Sequence, residues 1–164
     1  MTYKVHFYKD RQKFSAAHFT LFEDGTAERL HGHNYVVTAA LTGSSLDQGL
    51  LFPFHRVKPL ITRLCDAWDE RVLLPLRSPW LGLRETERQW EVTLNCPPAP
   101  KFYSFPKEDV VFLDCDNISS ENLAALFAEG LVNALGDLCP RLVHLEVTVS
   151  ESSGQSVTYC RDLG

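Results

Sequence analysis

The sequence predicts an α+β fold: an antiparallel four-stranded sheet with two helices on one face. Three observations carry this. Tyr35 to Leu41 is an apolar run rich in strand formers, and near the C-terminus Leu145, Val147 and Val149 alternate with His144, Glu146 and Thr148. Two intervening segments switch to helical spacing, Leu60, Ile61, Leu64 and Trp68 in one, and Leu123, Leu126, Phe127, Leu131 and Leu135 in the other. The order is therefore strand, strand, helix, small strands, helix, strand, strand. Residues 1–164 read as a single domain, with no internal repeat, low-complexity tract or linker.

Taken in order, Tyr3 to Tyr8 and Lys13 to His18 are strand material interrupted by the polar Lys9-Asp10-Arg11-Gln12, which suits either a hairpin or one bulged strand. Glu23-Asp24-Gly25-Thr26 is turn chemistry, with Gly25 able to take a positive φ. A strand follows over roughly 31 to 42, ended by Gly43-Ser44-Ser45. The first helix is expected from about Arg56 to Trp68, with Pro59 in its first turn, where a missing N–H does no harm. From Leu74 to Pro106 six prolines punctuate the chain; Trp90 to Asn95 and Lys101 to Phe105 suit two paired short strands, and Val110 to Leu113 another. The second helix is capped by Ser119, carries Glu121 in its first turn and stops at Gly136 and Pro140. A final hairpin turns at Ser152-Ser153-Gly154 into a last strand, Gln155 to Arg161.

Composition limits the function. A net charge of −5 and a pI near 5.6 argue against a general nucleic-acid binder. No apolar run approaches membrane-spanning length, and Met1 to His6 lacks the apolar core of a signal peptide, so a cytoplasmic protein is expected. The five cysteines, Cys65, Cys96, Cys115, Cys139 and Cys160, include no CxxC pair and read mostly as buried reduced thiols.

The chemistry centres on Leu30-His31-Gly32-His33-Asn34-Tyr35. Histidines at i and i+2 of a strand project from the same side, and His18, closing an earlier strand, supplies a third imidazole from a neighbour. Three neutral imidazoles suit Zn²⁺ and leave a fourth position for water or substrate. The competing reading treats the pair as ordinary polar strand residues. A cupin-type dioxygenase, which also uses HxH, is set aside because Tyr35 to Ala39 offers no glutamate after the pair.

Phe14-Ser15-Ala16-Ala17-His18 and the HGHNY stretch, with Ser119-Ser120-Glu121-Asn122 and Val149-Ser150-Glu151-Ser152, resemble the 6-pyruvoyltetrahydropterin synthase and 6-carboxytetrahydropterin synthase family over nearly the whole chain. The resemblance implies the tunnelling fold, in which sheets join edge to edge into a barrel. It also implies a homohexamer of two trimers, with active sites at subunit interfaces. It maps the zinc ligands onto His18, His31 and His33, and the pterin-anchoring glutamate onto Glu151, whose two carboxylate oxygens match paired N–H donors. Ser119 stands where the family has a threonine near the pterin, though a simple helix cap explains it equally.

The departures bear on catalysis. The family's cysteine precedes the first HGH histidine by four residues, and Ala27 stands there. Its aspartate–histidine pair becomes Asp69-Glu70, which also reads as a solvated pair at a helix end, and another family aspartate is replaced by Pro53. The chain is closest to a subgroup that lacks the cysteine and has a glutamate three residues before HGH, the position of Glu28. That subgroup cleaves dihydroneopterin to a 6-hydroxymethyl pterin. The competing account of Glu28 is a solvated turn residue. The resemblance thus implies a zinc-dependent lyase acting on 7,8-dihydroneopterin triphosphate or dihydroneopterin to give a 6-pyruvoyl, 6-carboxy or 6-hydroxymethyl product, with Glu28, Asp69 and Glu70 as candidate catalytic residues. The alternative is a zinc- and pterin- or purine-binding homologue that has lost turnover.

Overall fold

The computed structural model describes residues 2–163. Its elements run β1 (Tyr3–Phe7), β2 (Lys13–His18), β3 (His31–Gly43), α1 (Phe54–Asp66), β4 (Arg71–Pro75), β5 (Leu81–Glu85), β6 (Gln89–Leu94), β7 (Lys101–Pro106), β8 (Val110–Leu113), α2 (Ser120–Leu135), β9 (Leu142–Ser152) and β10 (Gln155–Asp162). The expected antiparallel four, β10-β9-β3-β2, form the body of the sheet, and β4 and β8 extend it with parallel pairings. With β1 the sheet has seven strands, so it is wider than the four predicted.

β1 and β2 are one interrupted strand, not a hairpin. Both pair antiparallel with the same side of β3: Phe7 opposes Ala39 and Lys13 opposes Val36. The Gln12 carbonyl accepts the Val37 N–H at 2.8 Å, carrying the ladder across the interruption.

One face of the sheet is apolar. Phe14, Ala16, Tyr35, Val37, Leu145, Val147 and Val149 are buried there against Val57, Ile61 and Cys65 of α1 and Leu123, Phe127 and Leu131 of α2. Trp68, just past α1, sets its ring edge-on to both Phe14 and Phe127. Ser119 caps α2, its Oγ accepting the Asn122 N–H at 3.3 Å, and Gly136 takes the positive φ that ends the helix.

Two local expectations are corrected. α1 begins at Phe54, two residues before the expected start, so Pro59 falls inside the helix and not in its first turn. The start is set by packing: Pro53 offers no side-chain cap, while Phe54 stacks edge-on against Phe7 at 5.9 Å. β4 and β5 had no expected counterpart. β5, β6 and β7 form a separate three-stranded antiparallel sheet with its own small core of Leu74, Val92, Leu94 and Phe19.

Candidate active site

Strand register brings the three histidines together. His18 is the last residue of β2 and lies directly opposite His31, the first of β3, while His33 follows on the same face. Ring centroids are separated by 4.8 Å (His18–His31), 4.7 Å (His31–His33) and 5.4 Å (His18–His33), and one ligand nitrogen from each lies within 4.8 Å of the others. Gly32 keeps the strands close, since a Cβ there would stand 3.2 Å from the Ala16 carbonyl oxygen.

In two of the three, the second ring nitrogen is committed elsewhere. His18 Nδ1 lies 3.0 Å from the Ile118 carbonyl and His31 Nδ1 2.7 Å from that of Arg29. A carbonyl only accepts, so each Nδ1 carries the proton and each Nε2 presents its lone pair. Burial lowers the His18 pKa and favours the neutral ring. Three converging imidazoles fit a zinc ion, with the two carbonyls as the outer partners that orient His18 and His31.

Glu151 and Tyr35 close one side of the cluster. Glu151 Oε1 lies 3.4 Å from both His18 Nε2 and His33 Nε2. The buried Tyr35 hydroxyl donates to Glu151 Oε1 at 3.2 Å and lies 3.0 Å from His18 Nε2. Burial and the Glu151 charge raise the Tyr35 pKa, so the phenol stays protonated. Glu151 and Ser119 also line one polar groove of about 410 Å³, together with Thr20 and Glu121. The two predicted substrate residues thus share a surface next to the imidazoles.

Glu28 lies on the other side, its Oε2 3.9 Å from His31 Nε2. It is held in a pairing of two loop strands: the Glu28 N–H donates to the Thr20 carbonyl at 3.0 Å, and the Thr20 N–H to Glu28 Oε2 at 3.3 Å. Lys101 of β7 donates to the carbonyls of Ala27 and Glu28, and Ala27 and Leu30 pack on the small second core. Burial pushes the Glu28 pKa up, but hydrogen bonds from Thr20 and the nearby His31 and His18 outweigh it. The carboxyl sits below its ordinary value and is ionised at neutral pH.

Asp69 and Glu70 are not brought to this cluster. Asp69 Oδ1 accepts the Ser15 N–H at 2.7 Å, and the Glu70 N–H donates to the Ser15 carbonyl at 2.7 Å. Glu70 lines a groove of about 430 Å³ with Ser15, Ala17, Gly32, His33, Asn34 and Arg71, but forms no ion pair with an imidazole among the described residues. Ser15, Ala17 and Asn34 alternate with the core-facing residues, so this groove opens on the sheet face away from the helices.

Sequence reasoning missed Tyr35, Lys101 and Asn117 as supports. Tyr35 was legible, being two residues beyond His33 on the same strand face. Asn117, which clamps Leu21 through both its N–H and its carbonyl, carries no such signal.

A curled sheet backed by two helices, with three converging imidazoles of metal-ligand type flanked by carboxylates, defines a protein of the tunnelling-fold class. The family profile described as 6-pyruvoyl tetrahydropterin synthase matches residues 8–162, and the chain belongs to that family. A Methanocaldococcus jannaschii relative, provisionally named 6-carboxy-5,6,7,8-tetrahydropterin synthase, is 30% identical over 149 residues, covering 90% of this chain and 88% of its own. The crystal structure of Plasmodium vivax 6-pyruvoyltetrahydropterin synthase superimposes with a TM-score of 0.90 at 31% identity, covering 99% of both chains. A form of that Plasmodium enzyme with a catalytic glutamate changed to alanine superimposes equally well, TM-score 0.90 at 30% identity, again over 99% of both chains.

Proposed function

We propose that this protein is a zinc-dependent lyase acting on the side chain of 7,8-dihydroneopterin triphosphate or dihydroneopterin, with Glu28 as the proton-transfer group. The observation that carries this reading is the 3.9 Å separation of Glu28 Oε2 from His31 Nε2, with Glu151 on the opposite side of the imidazoles. Zinc bound by His18, His31 and His33 would polarise the side-chain oxygens of the substrate and make them more acidic. Glu28, ionised and anchored by Thr20, takes a proton from that side chain and returns it to the product. Glu151 accepts N–H donors of the amino-pyrimidine edge, and Ser119 lines the same groove. The catalytic glutamate of the Plasmodium vivax enzyme supports the role given to Glu28. Among the 6-pyruvoyl, 6-carboxy and 6-hydroxymethyl products, this glutamate favours the last.

The sheet ends on β8 and β10, whose outer edges have no strand partner among the described residues, which supports closure into a ring-like homohexamer. Among the described residues, Asp69 and Glu70 form no ion pair with the imidazoles within one chain, so any role for them in the reaction is assigned to a site shared with a second copy. No described helix is long and apolar enough to cross a membrane, and with reduced thiols this supports a cytoplasmic location.

The test is incubation of the zinc-loaded protein with each neopterin substrate, with products identified by mass. Glu28→Gln should slow turnover about 10²–10⁴-fold while zinc is retained. An undiminished rate in that variant would reduce Glu28 to a turn residue. A second reading, pterin binding without turnover, is favoured by Glu70 standing where the family has histidine. Tight binding with no product from either substrate would select it.

A further inference from the structure

A second group of side chains of metal-ligand type lies on the opposite face of the sheet, near its far end. His144 and Glu146 are two residues apart on β9 and point away from the core, since Leu145 and Val147 between and beside them are buried. Antiparallel register sets Cys160 of β10 directly opposite Glu146, and Asp162 opposite His144. One ligand atom each from His144, Glu146 and Cys160 lies within 4.8 Å of the others.

We propose that His144, Glu146 and Cys160 form a second, thiolate-containing site for a borderline divalent cation of the zinc type. Imidazole, carboxylate and thiolate are all zinc ligands, and three of them leave one tetrahedral position open. Two features go beyond the proximity of the donors. His144 Nδ1 donates to Asp162 Oδ1 at 2.6 Å, which orients the ring so that Nε2 points toward Glu146 Oε1, 3.3 Å away. A carboxylate behind a metal-binding histidine is the outer-shell arrangement that fixes the tautomer and strengthens the ligand. Glu146 also borders a groove of about 320 Å³ lined by His6, Thr38, Thr148 and Thr158, so open space adjoins this ligand.

Lys4 Nζ holds Glu146 Oε1 at 2.6 Å, and a carboxylate has a second oxygen for the ion. Cys160 is the exposed cysteine; Cys65, Cys96, Cys115 and Cys139 are buried and out of reach. The site is independent of the histidine triplet, which contains no sulfur.

Cobalt(II) titration of the full chain separates the two sites, because only a thiolate ligand produces the sulfur-to-cobalt charge-transfer absorption in the near ultraviolet. The wild type should develop this band, Cys160→Ser should lose it, and His31→Ala should keep it. Asp162→Asn should weaken the cobalt affinity read from the band about 10- to 100-fold. Circular dichroism of each variant confirms that the fold is retained. The proposal is overturned if no band forms in the wild type at saturating cobalt, or if the band survives Cys160→Ser. It is overturned equally if both His144→Gln and Glu146→Gln leave the band and its midpoint unchanged.

Discussion

The Tyr35 hydroxyl donates to Glu151 Oε1 at 3.2 Å, joining the end of β9 to the histidine strand β3 beside the His18 ring. Because Tyr35 is fully buried, its ring position is fixed by packing against Phe14, 4.8 Å away centroid to centroid. The carboxylate is thus aimed by a rigid element and not by a loop.

Tyr35→Phe keeps the ring and removes the hydroxyl. The variant should lose about 1.5–3 kcal/mol of whatever process needs the oriented carboxylate, the usual worth of a hydrogen bond to a charged group. Pterin titration should show weaker binding with zinc retained. Glu151→Gln should weaken pterin binding in the same direction, since a neutral amide offers one acceptor and a misplaced donor. Unchanged pterin affinity in both variants would remove Glu151 as the anchor.

Loss of the histidine site is predicted for His31→Ala. Bound zinc should fall by one equivalent per chain, measured by metal analysis after dialysis. His31 is half-exposed and touches the Arg29 carbonyl, so the substitution should leave the fold intact. Full retention of zinc would contradict the ligand assignment.

The thiols should separate sharply in reactivity. Burial pushes Cys65 up to about 12 and Cys139 up to about 11, so both are neutral at pH 8 and gain thiolate only as pH climbs toward those values. In the metal-free native protein a disulfide reagent at pH 8 should modify Cys160 quickly and the four buried cysteines slowly. Denaturant should expose all five. Rapid reaction of two or more native thiols would show that the core opens readily.

Glu70 has φ 55, in the left-handed region that favours glycine. Its N–H is still needed, because it donates to Ser15 and holds the turn against β2. Glu70→Gly keeps that donor and relieves the backbone, so it should stabilise the fold by about 1 kcal/mol. Denaturant midpoints of the two proteins measure this; a loss of stability would mean that the Glu70 side chain contributes more than its backbone costs.

Much of the architecture was legible in the chain because its causes are local. Period-two alternation marked His144 to Val149, helical spacing and the Ser119 and Gly136 caps bounded α2, and the i, i+2 spacing put His31 and His33 on one face. Those patterns depend only on backbone geometry and on which side chains avoid water. The start of α1 was misjudged because the Phe54–Phe7 contact that sets it lies across the fold.

The sequence by itself determined the fold class, the caps of α2 and a histidine triplet suited to zinc. Only the tertiary structure decided that β1 and β2 are one interrupted strand, that register sets His18 against His31, and that Glu28 reaches His31 while Asp69 and Glu70 do not reach the imidazoles. Glu28 owes its position in part to Lys101 of β7, 73 residues further along the chain. Pairings of that kind follow from packing many distant groups at once, and no local pattern of residues encodes them.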